Sequence, residues 1–195
     1  MQEEQYEKVE LAVSAGEANA RALAFVLPIL VLYITPYVLL WPEQFSLYAL
    51  EQFFRDNGLR SLLFPLVLVL VFVVGAVVHE LLHGLTWASF CKRGFKSIAY
   101  GVHWRHLAPY CHCKEVLPLR PYVLGGLMPG LVMGLLPALA GLLIGHLMLF
   151  LFGLFFSLAA SGDLLVLWML RHAKATDQVQ DHPEKIGCYI YRKQV

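Results

Sequence analysis

Residues 62–90 read LLFPLVLVLVFVVGAVVHELLHGLTWASF, and this stretch decides the fold. Leaving tyrosine and cysteine aside, the only ionisable side chains between Arg60 and Lys92 are His79, Glu80 and His83. An apolar run longer than about 18 residues reads as a transmembrane helix. An ionisable residue near mid-span costs about 2.5–3.5 kcal/mol even on a lenient insertion scale, so three within five positions need a reason. The order His79-Glu80-Leu81-Leu82-His83 supplies one. On a helix the i, i+4 spacing puts both imidazoles on one face, a turn apart, where they can grip one metal ion. Glu80 is then angled beside the metal, where it can take a proton from an attacking water and pass it to a leaving amine.

The rest of the chain has the same character. It is 58% hydrophobic and only 15% charged, and its formal net charge of +1 gives no reason to expect nucleic acid. A second run lies between Arg21 and Glu43. A third, between Arg120 and Arg171, holds only His146 and Asp163 as ionisable groups on the same count. As one helix the third run would be more than twice the ~30 Å hydrocarbon core, so it folds back, near Gly145-His146. Four spans follow, at about 22–41, 62–90, 122–145 and 147–170. The polar, mainly acidic first twenty residues do not form a cleavable signal. With the N-terminus inside, segments 1–21, 91–121 and 171–195 are cytosolic and carry 13 of the 15 basic residues. Cys91, Cys111, Cys113 and Cys188 then lie on the reducing side, where disulfides are not expected.

Residues 1–20 read weakly as an amphipathic helix on the inner surface. Segment 42–57 reads as an interfacial helix on the outer face, opened by Pro42 and stopped by Asn57-Gly58. Ile98, Tyr100, Val102 and Trp104 alternate with smaller or polar residues, so about 97–118 reads as a cytosolic β-hairpin. The expected fold is therefore an all-α integral membrane protein. It is a single domain over 1–195, with four spans, one hairpin, one interfacial helix and a cytosolic tail at 171–195.

A catalytic zinc takes three protein ligands and keeps one position open. Asp163 is the only acidic residue of the last two spans, and its depth matches the histidines. His83 lies nine residues before Lys92, and Asp163 lies eight before Arg171. From the outer ends, His79 is nineteen residues past Arg60 and Asp163 seventeen past His146. At about 1.5 Å per residue these depths agree within roughly 3 Å, in the inner half of the membrane. The plainer reading is a hydrogen-bonded cluster without metal, but neutralised groups in lipid stay expensive.

At these residues the chain resembles the intramembrane site-2 proteases, and more closely a family of bacterial membrane proteins regarded as zincin peptidases. HELLHG at 79–84, YCHCKE at 110–115, SGD at 161–163 and DHPEKIGCYIY at 181–191 carry the resemblance. It implies one Zn2+ per chain on His79, His83 and Asp163, Glu80 as general base, and a cytosolic hairpin beside the site. Site-2 proteases place the acidic ligand in an Asp-Gly pair with an asparagine upstream. Here the order is Gly162-Asp163 and the last two spans hold no asparagine, so the oxyanion stabiliser is unassigned. Ser157 and Ser161 are candidates, although serines in lipid-embedded helices usually bond their own backbone.

Other residues carry plainer readings. In Cys111-His112-Cys113, strand alternation separates the histidine from the two thiols, a poor three-ligand chelate. His103 and His106 suit the interface, His146 the outer turn, and Asp181-His182-Pro183 a turn that docks over the site. The expected activity is hydrolysis, by a zinc-activated water, of a peptide bond in a transmembrane or membrane-surface protein segment. The hairpin edge at 98–104, with Tyr100, Val102 and also Ser161, is the expected substrate contact. The expected location is the bilayer of the bacterial inner (plasma) membrane, with both termini cytosolic. A membrane metal-binding or transport protein, or a catalytically inactive zincin-like scaffold, are the competing classes.

Overall fold

The computed structural model of the 195-residue chain describes residues 6–45, 51–52, 55–56, 58–104 and 108–193. Strand β1 (Tyr6–Val13) leads directly into helix α1 (Ala15–Leu40). The change from strand to helix falls at Ser14, whose hydroxyl accepts from the Glu17 amide at 3.3 Å while the Glu17 carboxylate accepts from the Ser14 amide at 3.1 Å. This reciprocal cap satisfies two of the orphan donors of the first turn. Helix α2 (Phe64–Ala88) begins with Pro65 in its first turn, where no amide hydrogen is needed.

The expected hairpin is present. Strands β2 (Ile98–His103) and β3 (Ala108–Cys113) pair antiparallel, with Ile98 opposite Cys113 and Tyr100 opposite Cys111. A short strand β4 (Leu117–Pro118) opens helix α3 (Leu119–Pro129). Helix α3 continues through a wide π-helical turn (Gly130–Leu135) into α4 (Leu136–Ile144). The chain reverses where the sequence places the turn: Gly145 adopts φ +69°, and His146 Nδ1 accepts from the Leu149 amide at 3.2 Å to start helix α5 (Leu147–Ala159). Helix α6 (Ser161–Met169) follows, then strands β5 (Gln178–Asp181) and β6 (Ile186–Lys193).

Gly16–Leu40, Phe64–Ala88 and Leu119–Ile144 are each long and apolar enough to cross a membrane. The segments Leu147–Ala159 and Ser161–His172 qualify together as a fourth crossing, bent by 41° between them. The outer faces of α1 and α2 expose Leu23, Leu27, Leu32, Leu66 and Leu70 by more than half, which is cheap only against lipid tails.

The all-α expectation is corrected by a four-stranded antiparallel sheet of order β1-β6-β5-β4. Residues 6–13 are an edge strand, not an amphipathic helix. Val9, Leu11 and Val13 alternate with exposed Lys8 and Glu10, and pairing with β6 runs from Tyr6 opposite Lys193 to Val13 opposite Ile186. The tail at 171–195 supplies the two central strands. Of the interfacial helix expected over 42–57, Pro42–Phe45 forms a 3-10 turn. Residues 46–50, 53–54 and 57 lie outside the described residues. A buried core of Trp87, Ile98, Cys113, Leu117, Tyr122, Leu170, Val179, Cys188 and Ile190 joins the helix ends to both sheets.

Candidate metal centre

Helix α2 presents His79 and His83 on its buried face, 8% and 4% exposed, with ring centroids 5.0 Å apart. Opposite them stands Asp163, in the first turn of α6. The bend between α5 and α6 gives this carboxylate a helix N-terminus, where unsatisfied amides and the helix dipole favour negative charge. One carboxylate oxygen lies 3.1 Å from His79 Nε2 and the other 3.3 Å from His83 Nε2. Donor atoms of the three residues lie within 4.8 Å of one another, the one such cluster among the described residues.

Two observations fit this set to a metal such as zinc. His83 Nδ1–H donates to the Gly125 carbonyl at 2.8 Å, which fixes the ring and leaves Nε2 as a bare lone-pair donor. The spacings of 3.1 and 3.3 Å are close to the edge of a tetrahedron built on ~2.0–2.1 Å bonds, about 3.3 Å. The Asp163 side chain is 27% exposed, so the cluster opens on one side.

The packing behind His83 is continuous. Trp87 stacks on the imidazole at 5.1 Å and on Tyr122 at 5.5 Å, and its indole N–H donates to the Tyr122 carbonyl at 3.0 Å. A Cβ on Gly125 would run into that indole, so only glycine lets α3 bring its carbonyl to His83. Gly125 and Tyr122 were not among the residues that the sequence singled out, and Trp87 read only as an aromatic anchor near a span end. A backbone carbonyl leaves no mark in residue type, and a glycine in a span reads first as close helix packing.

Glu80, the residue after His79 on α2, is half-buried. Glu80, His83 and Asp163 line one cavity of about 1100 Å3, together with Tyr110, Cys111 and His112 of the hairpin and residues 181–187 of the β5–β6 turn. The turn at Asp181-His182-Pro183 thus borders the cavity that His83 and Asp163 line. The other expected residues are more scattered. The Tyr100 ring packs where Gly84 leaves room, one residue after His83, and Val102 lies further along β2, 40% exposed. Ser161 is half-buried at the start of α6 and is not part of the cavity wall. Ser157 donates to the Tyr33 hydroxyl at 2.9 Å, joining α5 to α1. The side chain of His103 and all of His106 lie outside the described residues.

The thiols make a different arrangement. Cys113 and Cys188 are fully buried, and the Cys91 and Cys113 sulfurs lie 3.6 Å apart in hydrogen-bonding contact. No curated protein and no solved structure matches the chain. A protein family described as "Putative zincin peptidase" matches residues 72–177, which include both histidines, Glu80, Asp163 and the whole hairpin. That span is more than half of the chain, and the protein belongs to this family, which points to a metallopeptidase.

Proposed function

We propose that the protein is an intramembrane zinc metalloprotease of the site-2 type, cutting a transmembrane or membrane-surface segment of another protein. The observation that carries this is the convergence of His79, His83 and Asp163 from two membrane-crossing elements, with Glu80 on the same cavity. Bound zinc supplies Lewis acidity, which makes water a nucleophile near neutral pH and polarises the scissile carbonyl. Glu80 takes the proton of the attacking water and delivers it to the departing amide nitrogen. The wall of apolar helices limits bulk water, and the hairpin offers a polar ledge for a segment leaving its helix.

An α-helical substrate hides its carbonyls, so it must unwind locally before cleavage. An unwound segment needs backbone partners, and strand addition provides them. The 98–104 edge, with Tyr100 and Val102, is free for this because β2 pairs only with β3 among the described residues. In this reading the sheet end faces the bacterial cytosol, since the segments there carry 13 of the 15 basic residues.

Metal content per chain tests the reading directly, in detergent-purified wild type and in His79→Ala, Asp163→Ala and Glu80→Gln. About one zinc is expected in wild type and Glu80→Gln, and none in the other two, with proteolysis lost in all three variants. A transport site that used Glu80 as a ligand would instead lose metal in Glu80→Gln. No tightly bound metal in wild type handled without chelator removes the protease reading altogether.

A further inference from the structure

A second cavity, of about 480 Å3, opens at the seam between the four-stranded sheet and the ends of α1 and α6. It shares no lining residue with the cavity at the metal cluster. Three arginines from three elements line it: Arg21 of α1, Arg171 just past α6 and Arg192 of β6. The apolar runs explain the height of two of them. Arg21 is the last charge before the run to Glu43, and Arg171 is the first residue to close the run that holds only His146 and Asp163. Basic residues at the ends of crossings lie at the depth of lipid headgroups. Arg192 belongs to no crossing; the sheet brings it to the same cavity.

The two acidic side chains on the cavity wall are already engaged. The Glu17 carboxylate caps α1, accepting from the Ser14 amide at 3.1 Å and the Ser14 hydroxyl at 3.0 Å. Glu10 accepts from Lys185 Nζ at 2.7 Å. The arginines are less fully matched. Arg21 is exposed and makes no hydrogen bond among the described residues. Arg192 Nε faces the Asp177 carboxylate at 3.6 Å without a hydrogen bond, and its side chain stays 39% exposed. Arg171 is held by its own span, donating through Nη1 to the Trp168 carbonyl at 2.9 Å with its guanidinium 4.9 Å over the indole. That leaves its other nitrogens for a ligand. Beside the arginines runs an apolar rim. Trp168 is 56% exposed and meets Phe25 edge-on at 6.4 Å, and Leu23 of α1 is open to lipid.

The geometry points to a binding site for the phosphate of an anionic phospholipid, held by Arg21, Arg171 and Arg192, with the acyl chains along Trp168 and Leu23. Guanidinium forks match phosphate oxygens, and basic pockets at the cytosolic ends of crossings suit anionic headgroups. A quaternary ammonium headgroup carries a positive charge of its own and is disfavoured beside three arginines. An occupied site ties the sheet to α1 and α6. The inference rests on the membrane crossings and not on the metal.

The test titrates the full chain, in a nonionic detergent, with short-chain phosphatidylglycerol and counts bound lipid by native mass spectrometry. Phosphatidylcholine and inorganic phosphate are the comparison probes. Wild type is expected to hold one phosphatidylglycerol about tenfold more tightly than phosphatidylcholine, and millimolar phosphate does not displace it. Arg192→Gln weakens phosphatidylglycerol about tenfold, as expected for losing a charge-assisted hydrogen bond, with zinc per chain as in wild type. Arg21→Gln gives a similar loss and carries the test if Arg192→Gln does not fold. Arg93→Gln removes the same charge from the cytosolic side but outside the cavity, and leaves the affinity unchanged. Equal losses in Arg93→Gln and Arg192→Gln, or equal affinity for the two lipids, overturn the assignment, because the arginines then act only as general surface charge. Displacement by inorganic phosphate overturns it as well, since the cavity then takes a free anion. A wild type without zinc removes the protease reading and leaves this site standing.

Discussion

Two groups of metal-binding residue types lie near each other in this protein, and only one is built as a site. His79, His83 and Asp163 turn their donor atoms toward a shared point with one side open to a cavity. Cys91, Cys111, Cys113 and Cys188 turn theirs into the joint between helices and sheets. Burial there pushes the Cys188 thiol up to about 12, and the Cys91, Cys111 and Cys113 thiols are raised by the same cause. A thiol held protonated is a poor ligand and a poor nucleophile. The difference lies in what surrounds the donors: the histidines have a fixed tautomer and a counter-charge, the cysteines have apolar neighbours.

The largest effect that can break this contrast comes from exchanging the groups. His83→Ala is expected to lose essentially all zinc by elemental analysis, whereas a variant with all four cysteines replaced by alanine keeps about one zinc per chain. Zinc surviving in the first, or vanishing from a folded second, reverses the assignment. Next in size is Gly125→Ala. Its Cβ displaces the Trp87 indole from behind His83, and zinc affinity measured by chelator competition falls about tenfold to hundredfold. Wild-type affinity would mean that the Gly125 carbonyl does not orient the ligand.

A smaller effect falls on stability alone. Cys188→Ala removes a fully buried sulfur and is expected to cost about 1 kcal/mol in detergent unfolding with zinc retained. Alkylation sharpens the same contrast through pH. With its pKa raised to about 12, Cys188 carries almost no thiolate at pH 8, so iodoacetamide labels it only as pH rises toward that value or once the protein unfolds. Rapid labelling of Cys188 at pH 8 in folded protein would contradict its placement. Smallest is the effect of Tyr100→Pro, which removes one amide donor from the β2 edge that pairs with no other strand among the described residues. Cleavage slows several-fold with zinc retained, and unchanged cleavage kinetics rule out substrate pairing on that edge.

The spans, their turn and the hairpin were legible because each depends on local pattern. Gly145 and the missing charges between Arg120 and Arg171 were enough to place the reversal. Asp163 was legible from depth counting, since parallel crossings put equal residue counts at equal heights. The four-stranded sheet was not. β1 pairs with a strand some 180 residues away, and eight residues of alternation next to a long apolar run give no sign of such a partner. Residue types also hid the supports of the site. Nothing about Gly125 announces a carbonyl, and Asp181 reads as a turn residue until β5 brings it under His112.

The order of strands in the sheet has a consequence for synthesis. β6 lies between β1 and β5, so β1 waits for its neighbour until residues 186–193 have been made. The apolar helices all precede β6 in the chain, but until β6 is made Asp181 lacks its partner Cys188 and the cavity lacks the wall formed by residues 181–187. A chain made only through α6 therefore has the His79, His83 and Asp163 cluster without residues 181–187, which form one wall of the cavity. One strand, β6, thus completes both the sheet and one wall of the cavity.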